Sequence, residues 1–99
     1  NGRKSEVVNG YTKKALINHI VTHPNWKMVK NKVWQIDHIF PISAFLEYGI
    51  EDVKVINALE NLQPLTKWEN GSKCNKYSKA DFEEWLRVKG VKFESKQEE

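Results

Sequence analysis

Apolar positions along the 99-residue chain alternate between helical and extended spacing. The opening "NGRKSEVVNG" is polar and carries two Asn-Gly pairs, so a loose lead-in is expected over 1–10. In "YTKKALINHIVTH" the apolar residues Ala15, Leu16, Ile20 and Val21 fall on one helix face, with Thr12 as N-cap and Pro24 as the stop. "NKVWQIDHI" reads as a strand over 31–39, with Trp34 and Ile36 on one face and Val33 and Ile39 on the other. Pro41 limits pairing beyond it, and "PISAFLEYGI" bends away through a short strand or a helical turn. "EDVKVINALENLQPL" is mixed: a short helix or loop from Glu51, then an extended piece over 62–65. "TKWENGSK" suits a helix capped at Thr66, weakened at Gly71 by about 1 kcal/mol relative to Ala. "SKADFEEWLRVKG" is the cleanest helix, capped by Ser78, buried along Phe82, Trp85 and Leu86, and stopped by Gly90. There is no internal repeat and no low-complexity segment.

Composition narrows the class. With 39% hydrophobic and 29% charged residues, four Trp and four Phe, the chain can build a core and is not expected to be disordered. Its length suits one domain, placed over 11–93, with an acidic tail over 94–99. No apolar run approaches the roughly 20 residues of a membrane helix, and no signal-peptide pattern is read, so no membrane partner is expected. A single cysteine, Cys74, excludes an internal disulfide and a cysteine-rich zinc site; it fits a reducing, cytoplasmic setting. The only methionine is Met28, so a processed chain or a domain cut from a longer protein is expected. Net charge is +3, a mild excess compatible with a polyanion. Lys67, Lys73, Lys76 and Lys79 cluster around one acid, Glu69, either as phosphate contacts or as a solvated helix face.

Candidate chemistry lies in "QIDHIFP", where two titratable side chains interrupt an apolar run. An unpaired charge in a buried strand is strongly unfavourable, so Asp37-His38 is either a satisfied structural pair or a site. Asn61 and Asn70 complete a polar set among apolar anchors. Hydrolysis of a phosphodiester needs an activated water, neutralisation of added negative charge and assistance to the leaving oxygen. A carboxylate and an amide oxygen are hard donors suited to Mg²⁺ or Mn²⁺, so Asp37 and Asn70 could hold one ion. A neutral imidazole, with a reference pKa of about 6.5, is a suitable base, which assigns water activation to His38. In an extended strand Asp37 and His38 point to opposite faces, so both reach one phosphate only if the strand ends or twists there.

"DHIFPISAF", then "NLQPLTKWENGSK", in that order, resemble the HNH endonucleases, the ββα-metal or His-Me finger family, over residues 33–76. The resemblance implies an α+β fold: a short β-hairpin packed on a helix around one divalent ion, here with additional N-terminal and C-terminal helices. It implies His38 as general base, Asp37 as metal ligand and Asn70 as second metal ligand, in the variant where Asn replaces the final His. Asn61 resembles the middle Asn, which ties down the ββ loop and so orients the base. Double-stranded DNA is the implied substrate, with 5′-phosphate and 3′-hydroxyl products and phosphate contacts from Lys73, Lys76 and Lys67. The implied source is a bacterial or phage-infected cell, the implied setting a larger parent chain or a homodimer. Two features depart from many members. The Cys-x-x-Cys pairs that bind structural zinc are absent, so aromatic packing by Trp34, Phe40, Phe45, Trp68 and Trp85 is expected instead. The final Asn favours Mg²⁺ or Mn²⁺ over Zn²⁺.

Other readings stay open. The same fold could serve as a non-catalytic DNA-binding module, or the chain could be a small helical interaction domain with Asp37 and His38 as a buried pair. Asn61 alone reads as a cap or turn residue, Asn70-Gly71 as a turn dipeptide, and Asn57 and Asn75 compete for the amide roles with poorer flanks. His19 and His23, one turn apart, read as solvated or helix-end histidines, and Cys74 as a packing residue or exposed thiol.

Overall fold

The structure is a computed structural model, and it describes residues 7–8 and 10–94. Among these residues the chain is α+β, with six helices and two antiparallel strand pairs. No helix of the described residues is long and apolar enough to cross a membrane.

Strands β1 (Val7–Val8) and β2 (Tyr11–Thr12) pair antiparallel, Val7 opposite Thr12 and Val8 opposite Tyr11. This corrects the loose lead-in: Gly10, at φ +92, makes a turn that other residues adopt only with strain, and β-branched Val7 and Val8 take the strand. Residues 1–6 and 9 of that lead-in, and 95–99 of the expected tail, lie outside the described residues. Helix α1 (Lys13–Val21) follows, and the Thr12 side chain accepts the Ala15 N–H as its cap. Its buried residue is Ile20. A short helix the periodicity did not foretell, α2 (Trp26–Val29), comes next; Trp26 meets Trp34 edge-on, ring centroids 5.2 Å apart.

Strand β3 (Trp34–His38) pairs antiparallel with β4 (Leu62–Thr66) over its whole length. Between them run α3 (Ile42–Glu47), α4 (Val53–Ile56) and a single 3₁₀ turn, Leu59–Asn61. Pro41 starts α3, as its fixed φ and missing N–H favour at a helix beginning. Helix α5 (Lys67–Lys73) leaves β4 directly and packs against both strands. Thr66 and Glu69 form a reciprocal capping box that fixes its first turn, which offsets the weakness at Gly71. Helix α6 (Lys79–Lys89) is capped by Ser78 and ends at Gly90 in the left-handed conformation.

The core lies on the α3–α4–α6 side. Phe45, Phe82 and Leu86 are fully buried, with Ala44, Tyr48, Ile50 and Ile56 around them and Phe40 and Trp85 at the edge. Phe45 and Phe82 cross edge-on with centroids 4.8 Å apart. The expected stripe of α6 therefore builds the core. Trp68 does not join it; it lies in the first turn of α5 and is 82% exposed. The strand faces differ from expectation too. Ile36 and Val33 are exposed, and the residue β3 buries is its acid, Asp37.

Candidate active site at the end of the first long strand

The condition set by strand geometry is met because β3 stops at His38. Asn61 stops it. Its side chain is 0% exposed and reads the Phe40 peptide from both sides: the Phe40 N–H donates to Oδ1 at 2.8 Å, and Nδ2 donates to the Phe40 carbonyl at 3.1 Å. Nδ2 also reaches the Ile56 carbonyl at 3.0 Å, and the Asn61 carbonyl accepts the Ile39 N–H at 2.7 Å. Every polar atom of this buried amide has a partner, so the turn after His38 is pinned in one conformation. Asn61 is thus a loop tie rather than a surface cap.

Asp37 and His38, consecutive on β3, both line one cleft of about 250 Å³, together with Asn70 and Lys73 from α5 and Cys74 just after it. Asp37 is 6% exposed, and a carboxylate so buried needs partners. Gln63, directly opposite on β4, donates Nε2 to Asp37 Oδ2 at 2.8 Å. Lys73 Nζ lies 3.5 Å from the same oxygen and donates to the His38 carbonyl at 2.9 Å. Gln63 is held in turn by Asn25, whose Nδ2 bonds Gln63 Oε1 and the Pro64 carbonyl, each at 3.2 Å.

The His38 ring is also oriented. Nε2 lies 2.6 Å from Asn57 Oδ1 at the end of α4. An amide oxygen only accepts, so the ring donates from Nε2 and carries its lone pair on Nδ1. Tyr11, on β2, donates its hydroxyl to the Asn57 backbone carbonyl at 2.7 Å, so the N-terminal strand pair buttresses the residue that holds His38. On α5, Asn70 donates Nδ2 to Gln35 Oε1 at 2.8 Å, leaving its Oδ1 as the acceptor end. His19, outside the cleft, donates Nε2 to the Leu62 carbonyl at 2.8 Å and ties α1 to β4.

Of the residues singled out by sequence, Asp37, His38, Asn70 and Lys73 share the cleft and Asn61 lies behind it. Lys76 is exposed and does not line it, and Lys67 lines a separate groove. Sequence reasoning missed Gln63, Asn25 and Tyr11, and ranked Asn57 below its actual place on His38. Gln63 had a signal: antiparallel pairing of "WQIDH" with "LQPLT" puts it opposite Asp37. Asn57 and Tyr11 had none, since only the path of the intervening helices brings them in.

Among the described residues no three His, Cys, Asp or Glu side chains converge on a point. The donor pair in the cleft is instead one carboxylate and one amide oxygen. Gln63 and Lys73 both engage Oδ2 of Asp37, so Oδ1 and the Asn70 Oδ1 are the atoms suited to a hard divalent ion whose shell is completed by water. A carboxylate and an amide oxygen are donor types that Mg²⁺ or Mn²⁺ takes. Comparison of the chain with protein-family models, with curated proteins and with solved structures found no match.

Proposed function

We propose that the chain is a metal-dependent nuclease domain of the HNH, or ββα-metal, type that hydrolyses phosphodiester bonds of DNA. The observation that carries this reading is the convergence of Asp37, His38 and Asn70 on one cleft, with Asn61 closing the turn behind them. In support, the antiparallel pair β3–β4 is followed directly by α5, which packs against both strands, and α1 and α6 lie outside that unit.

The chemistry follows from the hydrogen bonds. His38, proton on Nε2 and lone pair on Nδ1, removes a proton from a water molecule. The resulting hydroxide adds to phosphorus as the bond to the 3′ oxygen breaks, leaving a 5′-phosphate, and that oxygen takes a proton from solvent to become the 3′-hydroxyl while His38 returns its proton to solvent. A divalent ion held by Asp37 and Asn70 would supply neutralisation of the phosphoryl and leaving-oxygen charge. Asn57 keeps the imidazole in one tautomer and orientation. Lys73 contributes positive charge beside the substrate phosphate and holds the His38 carbonyl. Its engagement with Asp37 gives it a role inside the cleft, beyond a contact to the outer backbone.

The test is conversion of supercoiled plasmid with Mg²⁺, Mn²⁺ or EDTA, comparing the chain with His38→Ala. Metal-dependent nicking or linearisation that disappears in the variant is the expected result. Plasmid binding without cutting under any divalent ion would leave a DNA-binding module on the same fold as the better account.

A further inference from the structure

Beside the cleft, where α5 begins against the start of β3, runs a groove of about 870 Å³. Val33, Trp68, Gly71 and Ser72 line it together with Lys32 and Lys67. Trp68 and Val33 are 82% and 73% exposed, in a fold that buries Phe45 and Phe82 completely. Residues 68, 71 and 72 lie one helical turn apart and form one stripe of α5. Apart from its chain neighbours and the helix's own backbone, no atom lies within 4 Å of the position a Gly71 side chain would take, so the groove is open there. Asn70 and Lys73, on the same helix, line the cleft. One helix thus serves both surfaces.

The lining carries two lysines and one acid. Lys32 and Lys67 are exposed, and neither forms an ion pair among the described residues. The acid in the groove, Glu69, is engaged by the Thr66 N–H in the capping box. An exposed indole among apolar residues, with two lysines in the same groove, is complementary to a ligand that alternates planar rings with negative charges. Bases of an unpaired strand stack on an indole while their phosphates meet the lysines. A base inside a duplex offers no free face to stack.

We infer that this groove binds an exposed nucleobase of single-stranded or locally unpaired nucleic acid, with Trp68 as the stacking surface and Lys32 and Lys67 as phosphate contacts. The inference rests on the phosphodiesterase reading of the neighbouring cleft and names its substrate class: a strand unpaired near the cut, in place of the intact duplex that the resemblance implies.

The experiment measures binding of a fluorescently labelled single-stranded oligonucleotide and of the same sequence as a duplex. The chain is compared with Trp68→Ala and Trp68→Phe in EDTA at low salt, with cleavage followed separately in Mg²⁺ and Mn²⁺. Trp68 is outside the core, so equal melting temperatures are expected for all three proteins. Trp68→Ala is expected to weaken single-strand binding by about 5- to 100-fold, the range of one lost stacking contact, with Trp68→Phe recovering most of it and duplex binding little changed. Unchanged single-strand binding in Trp68→Ala, equal loss on strand and duplex, or self-association that depends on Trp68 would each overturn the inference. Trp68-dependent binding by a chain that cuts with no divalent ion would retain the groove while refuting the cleavage reading.

Discussion

His38 Nε2 donates to Asn57 Oδ1 across 2.6 Å, joining the end of β3 to the end of α4 over a separation of 19 residues. The bond selects one imidazole tautomer and limits ring rotation, two requirements of a general base. Replacing His38 by Ala is expected to lower plasmid cleavage by about 10²- to 10⁴-fold, the usual contribution of a positioned base. Asn57→Ala should reduce the turnover rate by a smaller factor and leave DNA affinity unchanged. Asn57→Asp, which keeps an acceptor for Nε2, should recover part of the loss. Equal rates for Asn57→Ala and the parent would remove the orienting role.

Asn61 satisfies three backbone groups from a fully buried position. Truncation to Ala leaves the Phe40 N–H and two carbonyls without partners, at about 1–3 kcal/mol for a buried group. A loss of at least about 2 kcal/mol in urea unfolding is therefore expected, with loss of cleavage at temperatures where the variant is still folded. Asn61→Asp should not rescue, because a carboxylate cannot donate to the Phe40 and Ile56 carbonyls.

On the proposed reading, Gln63 would act on a bound divalent ion through Asp37. In Gln63→Ala the Asp37 carboxylate loses its cross-strand donor and its fixed orientation, while the side chains of the cleft itself stay in place. The Mg²⁺ or Mn²⁺ concentration for half-maximal cleavage should rise about 10- to 100-fold, as for other groups that orient a metal ligand. Asn25→Ala, which frees Gln63, should shift it in the same direction by less. A change in maximal rate with no change in metal requirement would contradict this order of action.

Burial holds the His23 pKa below the ordinary histidine value, and the neighbouring His19 lowers it further. Its Nδ1 accepts the Asn25 N–H at 3.0 Å, a bond only the unprotonated nitrogen can make. With the folded-state pKa depressed, the unfolded chain binds the extra proton first as pH falls. Stability from this group is present above the unfolded value of about 6.5 and is lost as pH falls through the folded value. Melting temperature should decline over that acid window, and less steeply in His23→Gln.

Phe82 is the hub of the aromatic core, meeting Phe40, Phe45, Tyr48 and Tyr77 at centroid distances of 4.8–5.6 Å. Phe82→Ala should lower stability by about 3–5 kcal/mol in chemical denaturation. A change below about 1 kcal/mol would show that α6 is not needed to hold the α3–α4 side together.

The sequence by itself determined the features that short-range geometry controls. Thr12, Thr66 and Ser78 cap helices through bonds to N–H groups three residues on, so their role is legible from neighbours alone. Gly90 ends α6 and the Phe82–Leu86 stripe faces the core for equally local reasons, spacing and backbone freedom. Asp37, His38, Asn61 and Asn70 were legible as a candidate set from their residue types among apolar anchors and from the resemblance of their flanking motifs.

Tertiary structure alone decided which polar groups meet. Tyr11 reaches Asn57 over 46 residues, Asn25 reaches Gln63 over 38, and Asn70 reaches Gln35 over 35. Such contacts depend on strand register and on where helices dock, and no local pattern encodes them. The same cause explains the misread aromatic and the misread strand face. Trp68 is as apolar as Trp85, yet α5 leaves one exposed while α6 packs the other against Phe40 and Phe45. Ile36 faces water and Asp37 is buried because Gln63 and Lys73 supply the donors that make an interior carboxylate tolerable. Hydrophobicity sets how readily a side chain leaves water; the fold determines where the partners are that let a polar one do so.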